Sequence, residues 1–258
     1  MSGSSQQREA IRVHSEQAAL FGERYQAMAA SPYGSCFAYS RHRLAAMLER
    51  VLPPPAAPAR LLDVGCGTGY HLAWARQRGF EVSGVDGSEE MLVEARRSNP
   101  GATIELADVD ALPLAAGSVD AVLCIEVLRY LSRSDRCVSE MARVLRAGGV
   151  CVATASPLLN LNLFPLLNRL GLRLPSLGLL RLKQFFHTGI GLARQFRRAG
   201  FRSVDVHGVH LGVFNWVEKL APGALPKVLP LAEPVDAIVS DLPLLRELSG
   251  MLLVRAVR

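Results

Sequence analysis

Three glycines and three aspartates carry the densest chemistry in this chain. In LLDVGCGTG, residues 61–69, Gly65, Gly67 and Gly69 stand directly before a helical pattern. Glycine at such a place lets the backbone turn sharply and lets a ligand approach with no Cβ in the way. Asp63 precedes the first glycine by two residues, Asp86 lies 21 residues beyond it at the end of the next apolar run, and Asp108 closes the run after that. A carboxylate in the place of Asp86 accepts hydrogen bonds from both hydroxyls of a ribose, so the expected ligand is a nucleoside. The dinucleotide fingerprint GxGxxG fits poorly, because the third glycine falls one position early. Asp63 is suited to orienting the loop or receiving a cationic group.

Other residues offer chemistry with less support. His187, in FFHTG just before a helical pattern, is the candidate general base. Tyr33 and Tyr39, in the Gly/Ser/aromatic stretch SPYGSCFAYS, are candidates for lining a pocket, and Glu126 is a candidate polar group at its edge, although a helix-start or solvent-facing place suits it equally. Cys66 and Cys124 read as small packing residues. His14, His42, His71, His207 and His210 share no spacing with carboxylates that suggests a metal site, and none is expected.

The elements that position these residues alternate. Strands are expected at RLLDVG, EVSGVD, TIELAD, AVLCI, GVCVATA, FRSVDVHGV and SGMLLVRAVR, with helices over residues 70–78, 88–97, 134–145 and 188–199 between them. Such alternation with short connections gives an α/β fold, a mostly parallel sheet covered by helices on both faces. Ahead of it, residues 1–10 are Ser/Gln-rich and expected to fray, residues 11–28 read as helical, SPYGSCFAYS as a loop and residues 41–52 as an amphipathic helix stopped by PPPAAPA. Residues 158–186 contain 16 Leu or Phe among 29, broken by Pro and Gly and carrying Arg and Lys, and residues 210–249 form a long proline-containing connection with one short helix.

With 258 residues, 50% of them hydrophobic and 20% charged, the chain is a folded globular protein near the upper size of a single domain. The net charge of +6 is local: residues 151–200 hold 7 basic and no acidic side chains, and the rest is nearly balanced. Because 26 of the 29 basic residues are Arg, the surplus is no phosphate-binding signal in itself. Five cysteines without ligand spacing, and no secretory segment ahead of them, read as reduced thiols in a cytoplasmic protein. No stretch reaches 18 apolar residues, while a lid over a greasy substrate, a peripheral membrane patch and plain packing all remain open for residues 158–186.

Taken together, LLDVGCGTG, VDGSEEML, LADVDALPLAAGSVDAVLCIEVLRYL and RVLRAGGVCVATASP resemble the successive motifs of the class I S-adenosylmethionine-dependent methyltransferases, in their small-molecule branch, tightly over residues 60–155 and loosely over 185–210. The resemblance implies a Rossmann-like seven-stranded sheet with an antiparallel last strand, an N-terminal helical cover over residues 1–55, a cofactor-binding core over 60–157, a cap or lid over 158–186 inserted after the fifth strand, and the rest of the core over 187–258. It implies S-adenosyl-L-methionine as cofactor, with Asp63 and Gly65, Cys66 and Gly67 at its amino-acid end. Asp86 would sit on the ribose between Gly87 and Ser88, Asp108 and Val109 at the adenine, and the backbone of Cys124 along the methionine part. Where the family often has Glu then His, this chain has Arg129 and Tyr130, so no His-based role carries over there and Arg129, with Glu126, Tyr33 and Tyr39, is assigned to the acceptor.

The function expected is methyl transfer to a small or medium-sized, hydrophobic acceptor at oxygen, nitrogen or carbon. Nucleic acid is disfavoured, since CIEVLRY lacks the aromatic catalytic tetrad of base methylation. A nicotinamide-dependent oxidoreductase and a cofactor-binding pseudoenzyme or scaffold stand as alternatives, and monomer and homodimer both remain open.

Overall fold

The computed structural model describes residues 5–18, 20, 21, 25, 28, 30–162, 165, 166, 182 and 184–258. Seven strands lie side by side in the order β3 (Thr103–Leu106), β2 (Phe80–Asp86), β1 (Ala59–Val64), β4 (Val119–Cys124), β5 (Leu145–Pro157), β8 (Leu252–Val257) and β7 (Ser203–Gly208). The strands from β3 to β5 are parallel, and β8 runs antiparallel to both β5 and β7, as expected for the last strand. A two-residue strand, β6 (Phe186–His187), pairs with the end of β5.

Alternation along the central strands sends side chains to two cores. Leu62, Val122 and Cys124 pack with Met141 of α5 (Ser134–Val144) and with Leu192 and Phe196 of α6 (Gly189–Arg198). Their neighbours Leu61, Ala121 and Leu123 pack on the other face with Leu44 and Leu48 of α2 (Cys36–Val51) and Ala75 of α3 (Tyr70–Gln77). Burial on both faces is why these strands read as unbroken apolar runs. α4 (Glu89–Ser98), capped by the Ser88 hydroxyl accepting from the Met91 amide at 3.2 Å, closes the edge beside β2 and β3.

Several expectations need correction. Residues 5–10 do not fray: α1 spans Ser5–Ser15 and packs across the cavity described below. Residues 36–40 are helical, because Ser35 takes an extended conformation and its hydroxyl accepts from the Ala38 amide at 3.1 Å, which starts α2 five residues earlier than the loop reading allows. β3 stops at Leu106, so Asp108 lies in the following turn rather than at the strand end.

The connection over 210–249 holds two α-helices, α7 (Phe214–Leu220) and α8 (Leu225–Val239). α8 accommodates Pro226 near its start and Pro230 and Pro234 inside, each four residues apart and each exposed. The carbonyls of Pro226 and Pro230, left without an i+4 amide, thus belong to exposed residues, where solvation lowers the cost of the lost hydrogen bonds. The cap expected over 158–186 falls largely outside the described residues. Among those described, no helix is long and apolar enough to cross a membrane.

α8 is joined to the sheet at one point of very close approach, where a Cβ on Gly208 would overlap the carbonyl oxygen of Ser240. Backbone cannot yield as a side chain does, so Gly208→Ala should lower unfolding free energy by about 3 kcal/mol, the upper end for overpacking, measured by urea denaturation. A loss under about 0.5 kcal/mol would show that the contact is loose.

Candidate functional site

The parallel strands end on one edge of the sheet, and there the turns after β1, β2, β3 and β4 meet α1 and α2 around a cavity of about 590 Å³. After β1 the chain folds back onto β2: the amides of Gly65 and Cys66 both donate to the Val85 carbonyl, at 2.8 and 3.0 Å. Gly65 has φ +74°, and a Cβ there would overlap Val127 of the turn after β4. Glycine is required at this position both by conformation and by space.

Asp86 is held by the backbone around it, Oδ2 accepting from the Gly67 amide and Oδ1 from the Ser88 amide, each at 2.9 Å. Burial pushes its pKa up, against the pull of those two amides. Asp63, 1% exposed, lies below the loop, and its Oδ2 has no hydrogen-bond partner among the described residues. Burial, with the charge of Asp86 second, raises its pKa to about 8. A buried carboxylate lacking a donor suits a cationic group on a ligand that supplies one. α1 closes this end: Gln7 donates to Asp108 at 3.1 Å, the hydroxyls of Ser15 and Ser88 are 2.7 Å apart, and Ile11 lies where a Cβ on Gly87 would be.

The other end is built on Glu126, whose φ of +65° is unusual for a residue with a side chain. Its amide donates to Thr154 Oγ1 at 2.7 Å, and its Oε2 accepts from Arg41 Nη2 at 2.7 Å and from Arg129 Nη1 at 2.8 Å. Burial would raise the Glu126 pKa, but the guanidiniums of Arg129 and Arg41 outweigh it and hold the carboxyl at about 2. His71 is pushed down to about 3 by burial and by Arg41, and is neutral. Tyr25 stacks on Tyr70 at 4.4 Å, and Phe37 lies 5.0 Å below the Arg41 guanidinium.

The structure thus brings together, around one cavity, Gly65, Cys66, Gly67, Asp86, Gly87, Ser88, Asp108 and Val109 at one end and Glu126 and Arg129 at the other. Cys124 is buried in the sheet core. Tyr33 and Tyr39 lie elsewhere, donating to Glu233 at 2.5 Å and to buried Asp236 at 2.6 Å, and so fasten α8 onto α2 and the turn before it. His187 is outside the cavity wall, with Nε2 3.5 Å from Ser134 Oγ and a pKa lowered by burial. The sequence reading passed over Arg41, His71 and Tyr25, all of which line the cavity. Arg41 had a signal: it stands in helical phase with Leu44, Leu48 and Val51, on the face that the amphipathic pattern buries.

Residues 62–153 match the methyltransferase domain family. The malonyl-[acyl-carrier protein] O-methyltransferase of Enterobacter lignolyticus is 35% identical over 137 residues, 53% of this chain and 52% of the relative. The curated relatives it matches are longer than the match, and the chain spans between 26% and 52% of the length of the first three. Among solved structures, an S-adenosylmethionine-dependent methyltransferase from Mesorhizobium loti superposes with TM-score 0.59 at 23% identity, over 84% of this chain and 98% of that one. The [4+2]-cyclase SpnF superposes with TM-score 0.64 at 21% identity, over 99% and 98%. These likenesses carry the fold.

The raised pKa of Asp63 has a consequence for stability. Above its ordinary value of 3.8 the unfolded chain releases this proton while the folded chain keeps it up to about pH 8. Stability should therefore fall as pH rises through that window, by up to ~1.4 kcal/mol per pH unit for one retained proton. Asp63→Asn should flatten this slope and be the more stable protein at pH 8, as read by urea unfolding at pH 5, 6.5 and 8. Parallel profiles for the two proteins would exclude a buried proton at Asp63.

Proposed function

We propose that the chain is a class I S-adenosylmethionine-dependent methyltransferase, a reading supported by the match of residues 62–153 to the methyltransferase domain family, and that it transfers a methyl group to a small or medium-sized, hydrophobic acceptor by in-line displacement. The observation that carries this reading is the single cavity that joins the glycine loop, Asp86 and Asp108 at one end to an aromatic-walled compartment at the other. When bound, the cofactor supplies an already activated methyl group on a sulfonium, open to attack by an acceptor lone pair aligned behind it.

The chain's own residues bind, orient and exclude water. In this reading the unpartnered Asp63 carboxylate answers the ammonium at the amino-acid end, directly or through water, and the Gly65–Gly67 backbone lies along it. Asp86, fixed by two amides, directs its remaining lone pairs at the ribose hydroxyls, with Gly87 and Ser88 beside it. Asp108 and Val109 border the adenine, and the strand end at Cys124 leads the backbone along the methionine part. α1 covers this half and keeps water out. Glu126, locked between two arginines, stays ionised and is not a general base in the neutral range; it and Arg129 shape the acceptor compartment. Tyr33, Tyr39 and His187 support the walls from outside it. The named O-methyltransferase relative favours oxygen as the accepting atom.

A second reading, a cofactor-binding protein that performs other chemistry, is favoured by the near full-length likeness to a cyclase. Calorimetric titration with S-adenosylhomocysteine, with NAD in parallel, tests the donor half. Wild type should bind the nucleoside and ignore NAD, and Asp86→Ala should weaken binding at least about tenfold, the worth of one to two charged hydrogen bonds, with the urea midpoint nearly kept. NAD binding in place of the nucleoside would restore the oxidoreductase alternative. Nucleoside binding without label transfer from methyl-labelled S-adenosylmethionine to any acceptor screened would favour the second reading.

A further inference from the structure

Ser40 and His210 form a hydrogen-bonded pair in the cavity wall. Ser40 stands on the face of α2 that also turns Cys36, Phe37 and Arg41 to the cavity, and His210 follows β7, where its carbonyl accepts from the Gly250 amide at 2.6 Å. β7 and β8 lie at the opposite end of the sheet from β2 and β3, so the pair is set away from Asp86 and Asp108.

The tautomer of His210 follows from its neighbours. Nδ1 lies 3.1 Å from the Leu211 carbonyl oxygen, which can only accept, so Nδ1 carries the hydrogen. Nε2, 3.0 Å from Ser40 Oγ, is then the lone-pair nitrogen and accepts from the Ser40 hydroxyl. Burial lowers the His210 pKa; Arg43 and Arg41 of α2 act with it, the Leu211 carbonyl and Asp236 of α8 act against it, and the ring is neutral. The ring is also held in place, since a Cβ on Gly250 would overlap it and Tyr39 packs against it edge-on with ring centroids 6.1 Å apart.

A serine inside a helix commonly bonds the carbonyl four residues back. Among the described residues, Ser40 Oγ bonds to His210 alone, which leaves its lone pairs for a donor in the cavity. The charged residues in this part of the wall balance, Glu126 and Glu218 against Arg41 and Arg129, and so suit a neutral partner.

We propose that Ser40 and His210 are the proton-accepting pair of the reaction, and that the acceptor enters as a neutral hydroxyl compound. The proposal rests on the methyl-transfer reading and deepens it. The acceptor hydroxyl donates to Ser40 Oγ while Ser40 donates to His210 Nε2. As the acceptor oxygen bonds to the methyl carbon and the carbon–sulfur bond breaks with its electron pair left on sulfur, the acceptor proton passes to Ser40 Oγ and the Ser40 proton to Nε2. His210 becomes an imidazolium and returns the proton to water after the product leaves.

The test uses the full chain, titrated calorimetrically with and without S-adenosylhomocysteine. The probes are naphthol, propylphenol and octanol, and the methyl ether of each. At least one hydroxyl compound should bind, about tenfold or more tighter than its ether, which has no hydrogen to donate. Ser40→Ala should bring that hydroxyl compound and its ether to similar affinity while keeping the affinity for S-adenosylhomocysteine. With methyl-labelled S-adenosylmethionine, wild-type transfer to the same compound should fall in acid as His210 protonates. His210→Gln should be slower by about a hundredfold and should lack that acid limb, which a merely structural histidine would leave in place. The proposal is overturned if no hydroxyl compound binds, if hydroxyl compounds and ethers bind alike, if Ser40→Ala keeps the preference, if no bound compound is methylated, or if His210→Gln keeps the acid limb. The comparison of hydroxyl compound with ether on wild type decides even if a variant does not fold. If S-adenosylhomocysteine fails to bind, the methyl-transfer reading falls by itself, and the titrations made without it still judge the pair.

Discussion

No side chain fits between Gly65 and Val127, and much of the site follows from that contact. It brings the turn after β1 against the turn after β4 at the carboxyl edge of the sheet. Glu126, the residue just before the contact, adopts φ +65° to make the approach, at a cost of order 1–3 kcal/mol typical of such conformations. Its reward is position: the carboxylate reaches Arg41 of α2 and Arg129 of the turn after β4 together. The Val127 side chain, set against the Gly65 backbone, thus ties the turn after β1 to the turn after β4 in the wall of the cavity.

Charged side chains of both signs line the cavity. Asp86 and Asp108 lie with the glycine loop, Asp63 is buried beneath it, and Arg41 and Arg129 share Glu126 elsewhere in the wall. Asp63 is raised toward neutrality, whereas Glu126, between two guanidiniums, is ionised far into acid.

The glycine loop and Asp86 were legible in the chain because their chemistry is local: a strand, a turn and a helix start within 27 residues, each with its own residue signature. The sheet was legible for the same reason, as apolar runs separated by helical patterns. What escaped the sequence depended on partners far along the chain. Tyr33 and Tyr39 look like pocket residues in a Gly/Ser/aromatic stretch, yet Glu233 and Asp236 claim their hydroxyls. Three prolines look like helix breakers, yet their four-residue spacing keeps all three on the exposed side of α8. Arg41 was visible as a charge in an apolar phase, but its partner, Glu126, reaches it only through a left-handed backbone that no local pattern announces.

The pins between α2 and α8 bear on how the protein is made. Tyr33 and Tyr39 are joined to residues nearly 200 positions later, and Met251 and Gly250 complete the wall near Arg41. The turns after β1, β2 and β3 leave the ribosome within a short interval of one another, from Gly65 to Val109, whereas the wall around Arg41 joins residues far apart in the chain and is finished only when β8 arrives. During synthesis, a buried arginine and its aromatic neighbours are therefore exposed longer than any other part of the cavity, which makes α2 the segment most in need of protection until the chain is finished.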